Sequence, residues 1–299
     1  MSVNFEDTAS LHQFYEQLVI RSDPINKILY CFADPQPRPC FTPELISDLA
    51  KFLRTFKNQS LHEIENQGEL SYKYLVLGSH RPGVFSLGGD LELFLTHIKN
   101  SDRDCLTQYV RSSIQVLYEV SIDLGLPITT IALVRGNALG AGFEGALACD
   151  VIIAEKNVQL GFPEVLFNMF PGMGAYSFLA RRIDPANVER MILSGRIYTA
   201  PEMAEMGIID VLANDGEGIE SLYQFLKKYK KVENTRKAII KMRNRVYPVK
   251  IEEMIDIGEM WVDSALSLGS KDLRIMQRLI RSQNKALDKT ILKLSLIHI

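Results

Sequence analysis

Short apolar segments alternate with longer amphipathic ones along the first two thirds of the chain. Runs rich in aliphatic and aromatic residues predict strands at residues 27–33, 72–77, 127–134 and 151–154. The proline-containing segment that follows the first run breaks it. Each strand is therefore expected to end in a loop that leads into a helix.

Helix signals fill the spaces between these strands. Thr42 followed by Pro43 predicts a helix that runs to about residue 57, because proline is favoured in the first turn. Asp90 begins a helix through residue 97, and a longer helix with one apolar stripe spans about residues 102–124. Glycine-containing loops are expected at 78–89 and 136–142, the second leading into a short helix. Strand, loop, helix and strand in this order predict right-handed crossover units of an α/β fold.

The pattern changes in the last third of the chain. After Pro171 it is mostly helical, with one strand-like piece at residues 207–213. A basic, helix-forming segment follows at residues 227–245. We therefore predict a core at residues 1–213, including an N-terminal extension, and a helical C-terminal region at residues 214–299.

Composition and charge indicate which kinds of partner, location and metal site to expect. The 299 residues carry a net charge of −2, which does not favour nucleic acid or an anionic membrane as the main partner. No apolar run approaches the roughly 18 residues that a membrane-spanning helix needs. The four cysteines form no CxxC pair, and the first residues lack the features of a signal peptide, so reduced thiols and a cytoplasmic location are expected. The five histidines show no HxxxH or HxH spacing, so no metal site is expected.

Two loops of small residues are the first candidates for chemistry. One contains Gly88, Gly89 and Asp90, and the other is GNALGAGF, which precedes Glu144. Glycine allows the main chain to approach a ligand closely, and free N–H groups at a helix start favour negative charge. Two such loops are suited to form an oxyanion hole. The alternatives are a tight turn with Asp90 as helix cap, and close packing of a helix on a sheet.

Two glutamates lie within apolar runs. Glu144 follows Phe143, and Glu164 lies in the segment GFPEVLF. Burial disfavours the charged carboxylate and raises its pKa towards the range that suits proton transfer. The alternative is that each glutamate pairs with a nearby arginine, such as Arg135, Arg181 or Arg182.

These motifs together resemble the crotonase superfamily, which includes enoyl-CoA hydratases and isomerases. The similarity is carried by GNALGAGFEGALACDVIIAE, LGFPEVLF and FPGMGAYSFLARRI. The segments FSLGGDLELF, EVLFNMFPGMGAYSF and EEMIDIGEMWVDSALSLGSKDLRIMQRLIR more closely resemble bacterial diffusible-signal-factor synthases. The resemblance covers about residues 25–285. It implies a ClpP/crotonase-like spiral of ββα units with a helical C-terminal region that contributes to oligomerisation and to part of the acyl pocket.

The resemblance also implies roles for individual residues. Gly89 and Ala141 stand where the superfamily has its two oxyanion N–H donors; the second position is usually glycine, but an alanine keeps its N–H. Glu144 and Glu164 match the two acid–base glutamates of hydratases. The remaining expected substrate-binding residues are Gly88, Leu139, Gly140, Phe170, Met173 and Trp261. For the apolar members of this set, ordinary core packing is the alternative.

The reaction that the resemblance implies is synthesis of a cis-2-unsaturated fatty acid signal. A 3-hydroxyacyl thioester on acyl carrier protein would lose water and then be hydrolysed. The alternatives are an ordinary enoyl-CoA hydratase or isomerase, and a regulatory protein that binds the receiver domain of a sensor kinase. No cofactor is expected beyond the phosphopantetheine of the carrier protein or CoA.

The resemblance further implies a homo-oligomer, a trimer or a hexamer. The basic segment at residues 227–245 is a candidate contact for the acidic carrier protein, with a solvated helix face as the alternative. The final LKLSLIHI lies outside the resemblance.

Overall fold

A larger sheet forms the centre of the molecule. The computed structural model describes residues 6–7 and 15–281. The sheet has the strand order β1-β2-β3-β4-β6-β8-β11. Its strands are β1 (Glu6–Asp7), β2 (Leu18–Asp23), β3 (Ile28–Ala33), β4 (Tyr74–Ser79), β6 (Thr129–Val134), β8 (Val151–Glu155) and β11 (Val211–Ala213). From β3 onwards neighbouring strands are parallel, as crossover connections require.

A smaller sheet, with the order β10-β9-β7-β5, lies beside the glycine-containing loops. Its strands are β5 (Gly83–Ser86), β7 (Gly136–Leu139), β9 (Gln159–Gly161) and β10 (Ile197–Thr199). Strands β5, β7 and β9 are parallel, whereas β10 is antiparallel to β9. The predicted loops at 78–89 and 136–142 were therefore partly wrong, because each contains a short strand. Gly136 permits the pairing of β5 with β7, since a Cβ there would overlap the main chain of Gly83.

Helices cover both faces of the larger sheet. They are α1 (Pro43–Gln67), α2 (Leu91–Lys99), α3 (Arg103–Ser121), α4 (Ala141–Leu147), α5 (Ala175–Leu179), α6 (Pro185–Ser194), α7 (Ala200–Glu205), α8 (Gly218–Lys230), α9 (Glu233–Val246), α10 (Ile251–Leu266) and a last helix α11 at residues 270–281. One core contains buried residues of α1, α3 and α10, and a second core buries α8 against the opposite face of the sheet. No helix within the described ranges is long and apolar enough to cross a membrane.

Two predicted helix ends were wrong. Helix α1 continues beyond residue 57 because Phe56 and Ser60 extend its buried face, and it ends at Gly68, which is left-handed with φ 73°. Helix α3 ends at Ser121 rather than near residue 124. Asp123 and Leu124 are left-handed, with φ of 54° and 58°, and this conformation cannot continue a right-handed helix. The division of the chain at residue 213 remains a prediction, and the final LKLSLIHI lies outside the described residues.

Candidate active site

The two glycine-containing loops meet at one edge of the smaller sheet. Strands β5 and β7 are parallel neighbours, so their carboxyl ends lie at the same edge. Gly88 follows β5 in a left-handed conformation, with φ 100°. A Cβ on Gly88 would lie 3.1 Å from the carbonyl oxygen of Leu139 and 3.7 Å from the amide nitrogen of Ala141. The main chains of the two loops are therefore in contact.

These loops present two N–H groups that have no acceptor among the residues that the structure describes. In the part of the chain that the structure describes, neither the N–H of Gly89 nor that of Ala141 donates a hydrogen bond. Their neighbours do: Gly88 donates to Ser86 Oγ at 3.2 Å, and Gly140 donates to the carbonyl of Gly161 at 2.9 Å. Ala141 is the first residue of α4, where N–H groups have no intrahelical acceptor. The two predicted oxyanion donors are thus available to a ligand.

Glu144 is held by main-chain amides. It lies on α4 and is only 1% exposed. Its Oε1 accepts hydrogen bonds from the N–H of Met173 at 2.8 Å and from that of Ala175 at 2.9 Å. Burial raises the pKa of Glu144 to about 7, and the amides of residues 173–175 oppose this rise because they stabilise the carboxylate.

Glu164 lies on the 3₁₀ turn Pro163–Phe167, and as a residue it is half-buried. Its Oε2 is nevertheless buried and has no hydrogen-bond partner within the described residues. Burial is the main cause that raises the pKa of Glu164 to about 8, and the nearby Glu144 carboxylate raises it further. Oε1 of Glu164 lies against Gly140, where a Cβ would overlap it. Both glutamates therefore belong to one site with the glycine-containing loops.

The arginine-pairing alternative was wrong for both glutamates. Arg181 forms an ion pair with Glu253 at 3.0 Å, and Arg182 lies 3.5 Å from Asp210. Arg135 donates to a main-chain carbonyl at 3.5 Å. Among residues 6–7 and 15–281 the two carboxyls thus have no cationic partner, and because they are buried their pKa values rise.

Asp90 caps a helix, which was the alternative interpretation of the loop with Gly88 and Gly89. Its Oδ1 accepts from the N–H of Glu92 at 3.1 Å and from that of Leu93 at 3.2 Å. It also pairs with Arg38 at 3.1 Å. These contacts fix the start of α2 directly after Gly89. Sequence reasoning missed Arg38, which lies in the proline-rich segment far from this loop in the chain and carries no local signal.

The predicted apolar substrate-binding residues are packed to different degrees. Met173 and Trp261 are each 4% exposed, whereas Leu139 and Phe170 are half-buried. The Trp261 ring packs on Gly172 and on the ring of Phe94, with centroids 4.9 Å apart. The ring of Phe94 in turn lies against Gly89, so Phe94 connects Trp261 to the Gly89 loop. Substrate contact by these four residues remains a prediction.

One surface cluster combines residue types that bind metals. His97, Asp102 and Cys105 place one potential ligand atom each within 4.8 Å of one another. Asp102 caps α3 through the N–H of Cys105 at 3.1 Å and contacts His97 Nδ1 at 2.9 Å. Helix capping and one hydrogen bond explain the cluster, and it does not belong to the glutamate site.

The chain matches a family model along most of its length. The model for enoyl-CoA hydratase/isomerase matches residues 28–256. The chain is 32% identical over 172 residues to the probable mitochondrial enoyl-CoA hydratase 2 of Arabidopsis thaliana, covering 57% of this chain and 53% of the relative. It is 32% identical over 145 residues to the mitochondrial methylglutaconyl-CoA hydratase of Homo sapiens, covering 48% and 41%. The chain thus spans about half, or less, of the length of these curated relatives.

Solved structures share the fold. An enoyl-CoA hydratase from Bacillus halodurans superposes with a TM-score of 0.72 at 22% identity and covers 88% of this chain and 100% of the other. A human mitochondrial delta3-delta2-enoyl-CoA isomerase gives 0.70 at 17% identity, covering 91% and 99%. Pseudomonas aeruginosa DspI gives 0.59 at 19% identity, covering 82% and 83%. These similarities confirm the predicted crotonase fold.

Two further expectations are met at the level of the matched family. Its enzymes need no cofactor beyond the CoA-linked substrate, as predicted. Its members are commonly oligomeric, which agrees with the expected homo-oligomer without fixing the number of subunits.

Proposed function

The chain belongs to the enoyl-CoA hydratase/isomerase family, and from this premise we propose that it adds or removes water at the 2,3 position of an acyl thioester. One observation carries the proposal. Two interacting buried carboxyls, with pKa values raised to about 7 and about 8, lie beside two N–H groups that have no acceptor among the described residues. Raised carboxyl pKa values near neutral pH suit groups that exchange protons with a substrate.

The two free amides act on the thioester oxygen. Removing the proton at C2, or adding hydroxide at C3, shifts negative charge onto that oxygen. Gly89 N–H and Ala141 N–H donate to it, and this stabilises the enolate in a site from which water is largely excluded. The Cβ of Ala141 does not interfere, because the donor is a main-chain group.

The two carboxyls move the protons. During dehydration, ionised Glu164 takes the C2 proton through Oε2, and protonated Glu144 gives a proton to the hydroxyl that leaves C3 as water. Hydration is the reverse: Glu144 accepts a proton from water, and Glu164 delivers one to C2. The amides of Met173 and Ala175 occupy Oε1 of Glu144, so Oε2 is the atom directed to water.

A second candidate adds cleavage of the thioester. Water then attacks C1, the C–S bond breaks, and the products are a thiol and a free cis-2-enoic acid. The sequence similarity of EVLFNMFPGMGAYSF to signal-factor synthases supports this candidate, because this segment supplies the amides that orient Glu144. Its partners would be acyl carrier protein, further copies of this chain as a trimer or hexamer, and the receiver domain of a sensor kinase. Its location would be cytoplasmic.

Product analysis tests both candidates. Purified protein is incubated with crotonyl-CoA and with 3-hydroxydodecanoyl thioesters of CoA and of acyl carrier protein, and products are identified by mass spectrometry. Hydration or dehydration without free acid supports the hydratase, whereas release of cis-2-dodecenoic acid supports the second candidate. Glu144→Gln and Glu164→Gln should each abolish the reaction, with the exposed Glu189→Gln as control. Absence of turnover with every thioester would reject both and favour a binding role.

A further inference from the structure

A segment at residues 38–41, between β3 and α1, lies along the loop that contains Gly89. The N–H of Phe41 donates to the carbonyl of Gly88 at 2.8 Å. Phe41 also forms a parallel bridge with Gly89. The position of the loop that supplies a candidate oxyanion donor therefore depends on a segment that is distant in the chain.

The hydrogen bond from Phe41 also fixes the direction of the Gly89 N–H. The carbonyl of Gly88 and the N–H of Gly89 belong to one planar trans peptide unit, so they point in opposite directions. Phe41 holds the carbonyl on one side. The Gly89 N–H is therefore directed to the other side, where it has no acceptor among the described residues.

One buried hydroxyl, that of Tyr109, connects the segment at residues 38–41 to the loop. Tyr109 lies on α3, is 5% exposed, and donates to the carbonyl of Phe41. The same oxygen accepts from the N–H of Asp90 at a longer distance, 3.4 Å. Since a hydroxyl can donate and accept at once, Tyr109 joins the residue that holds Gly88 to the residue that follows Gly89.

The ring of Tyr109 is held independently of its hydroxyl. It packs edge to face on Phe94, with centroids 5.0 Å apart, and Phe94 itself lies against Gly89. Burial raises the pKa of Tyr109 well above the ordinary value of 10, so the hydroxyl keeps its proton and remains a donor. The proposed reaction does not consume this proton, which leaves the hydroxyl with a structural task beside the site.

We infer that Tyr109 is a positioning residue that orients the Gly89 N–H towards the thioester oxygen. Arg38 assists at the other end of the segment, where it pairs with Asp90 at 3.1 Å. This inference rests on the proposed function for the role of Gly89 as an oxyanion donor. Loss of the Tyr109 hydroxyl should weaken the stabilisation of the enolate more than the binding of substrate.

Replacing Tyr109 by phenylalanine removes only the hydroxyl. Tyr109→Phe should lower kcat for crotonyl-CoA by about tenfold, less than the roughly 10²–10³-fold cost of losing an oxyanion donor completely. KM should stay within about twofold, because the lost stabilisation belongs to the transition state. Tyr229→Phe is the matched control and should keep the wild-type kcat. Tyr229 is 2% exposed, and its hydroxyl contacts Thr129 Oγ1 at 3.3 Å in the core on the opposite face of the sheet.

The carbonyl stretch of a bound thioester separates positioning from a general loss of stability. Butyryl-CoA labelled with ¹³C at C1 has no double bond to hydrate, and its infrared carbonyl band moves to lower frequency when N–H groups donate to the oxygen. In Tyr109→Phe this shift should fall to about half, since one of two donors is displaced, whereas Tyr229→Phe should keep it. Arg38→Gln breaks the ion pair with Asp90 and should also reduce the shift, which provides a second variant.

Folded Tyr109→Phe with the wild-type kcat and carbonyl shift would overturn the inference while leaving the hydratase standing. Equal losses of kcat in Tyr109→Phe and Tyr229→Phe with an unchanged shift would also overturn it, because they indicate a role in stability alone. If Tyr109→Phe did not fold, an unchanged shift in Arg38→Gln would have the same meaning. A shift that depends on Tyr109, in a protein that turns over no thioester, would support the inference and reject the hydratase. No shift with the wild type would overturn the inference, because Gly89 would then not donate to the thioester oxygen.

Discussion

Glu144 and Glu164 share one site but differ in the elements that carry them and in their hydrogen bonds. Glu144 lies on helix α4, and its Oε1 accepts from two main-chain amides. Glu164 lies on a 3₁₀ turn, and its Oε2 has no partner within the described residues. Main-chain donors stabilise the Glu144 carboxylate and oppose the rise of its pKa to about 7, whereas the nearby Glu144 charge adds to the burial that raises the pKa of Glu164 to about 8.

This difference indicates a division of labour. A carboxyl with one oxygen bound by amides keeps a fixed orientation, which suits a group that positions water. A buried carboxyl with a free oxygen is poised to exchange a proton with a substrate carbon. Because the two carboxyls interact, their protons are expected to be gained and lost as a pair. The predictions below separate the two groups by different measurements.

The largest expected difference is in exchange of the C2 proton. In D₂O, Glu164→Gln should lower the rate of deuterium incorporation at C2 of a saturated acyl-CoA by about 10²–10⁴-fold, because an amide cannot accept that proton. Glu144→Gln should retain most of this exchange while losing hydration of crotonyl-CoA. Both rates are measurable by mass spectrometry.

The exposed Glu189→Gln is the control for both rates. Equal loss of exchange in the two active-site variants would refute the assigned roles. The two carboxyls would then act together in removing the C2 proton, and neither would have a separate role.

For the free energy of unfolding, we expect replacement of Glu144 to have the larger effect, the reverse of the order for proton exchange. Glu144→Ala leaves the buried N–H groups of Met173 and Ala175 without an acceptor, and we expect a loss of about 3 kcal/mol in the free energy of unfolding. Glu164→Ala removes no hydrogen bond to Oε2 and relieves the interaction with Glu144, so its stability should stay within about 1 kcal/mol of the wild type. Urea unfolding of both variants at one pH gives the comparison. A larger loss for Glu164→Ala would contradict it.

Position 140 allows Glu164 to be displaced without changing it. Gly140 has φ 51°, and a Cβ there would overlap Glu164 Oε1, so Gly140→Ala should lower kcat about hundredfold by misplacing the carboxyl. Gly207→Ala is a matched control, because Gly207 has φ 78° with open space around its Cα. Both variants place an alanine at a positive φ, but only at position 140 would its Cβ meet Glu164, so only the first should lose activity. Similar kcat values for the two variants would rule out a direct effect on Glu164.

Local signals identified the candidate residues of this site, but the residues alone left alternatives open, and the family resemblance decided between them. Glycines before helix starts and glutamates inside apolar runs can be recognised from neighbouring residues alone. The burial of Glu144, the free amides of Gly89 and Ala141, and the absence of arginine pairing then follow from how these segments meet. Roles for these residues remain part of the proposal, since they depend on a substrate.

Other features have no local signal. The capture of Glu144 by the amides of Met173 and Ala175 joins residues about thirty positions apart, through main-chain groups that every residue has. Strands as short as Gln159–Gly161 were missed because three residues carry too little alternation to be recognised. The contact of Trp261 with Phe94, whose ring lies against Gly89, likewise joins residues far apart in the chain.

The smallest expected effect is a pH dependence of stability that belongs to Glu164. Its pKa of about 8 in the folded protein lies above the ordinary value of 4.5, so the folded protein binds a proton that the unfolded chain has released. The stability contributed by this group is present below about pH 4.5 and is lost as the pH rises to about 8. Glu164→Gln stays neutral and escapes this loss. Between pH 6 and pH 9 it should therefore gain about 2 kcal/mol relative to the wild type.

Urea unfolding of both proteins at the two pH values measures this gain, and titrating groups that do not interact with Glu164 cancel in the difference. Glu189→Gln should show no such gain, because Glu189 is exposed. The stability contributed by Glu144 is also lost as the pH rises. This loss is complete at a lower pH, about 7, because the amides bound to Glu144 favour its carboxylate. If the difference between wild type and Glu164→Gln were the same at both pH values, Glu164 would have an ordinary pKa in the folded protein. The contrast between the two glutamates would then rest on hydrogen bonding alone.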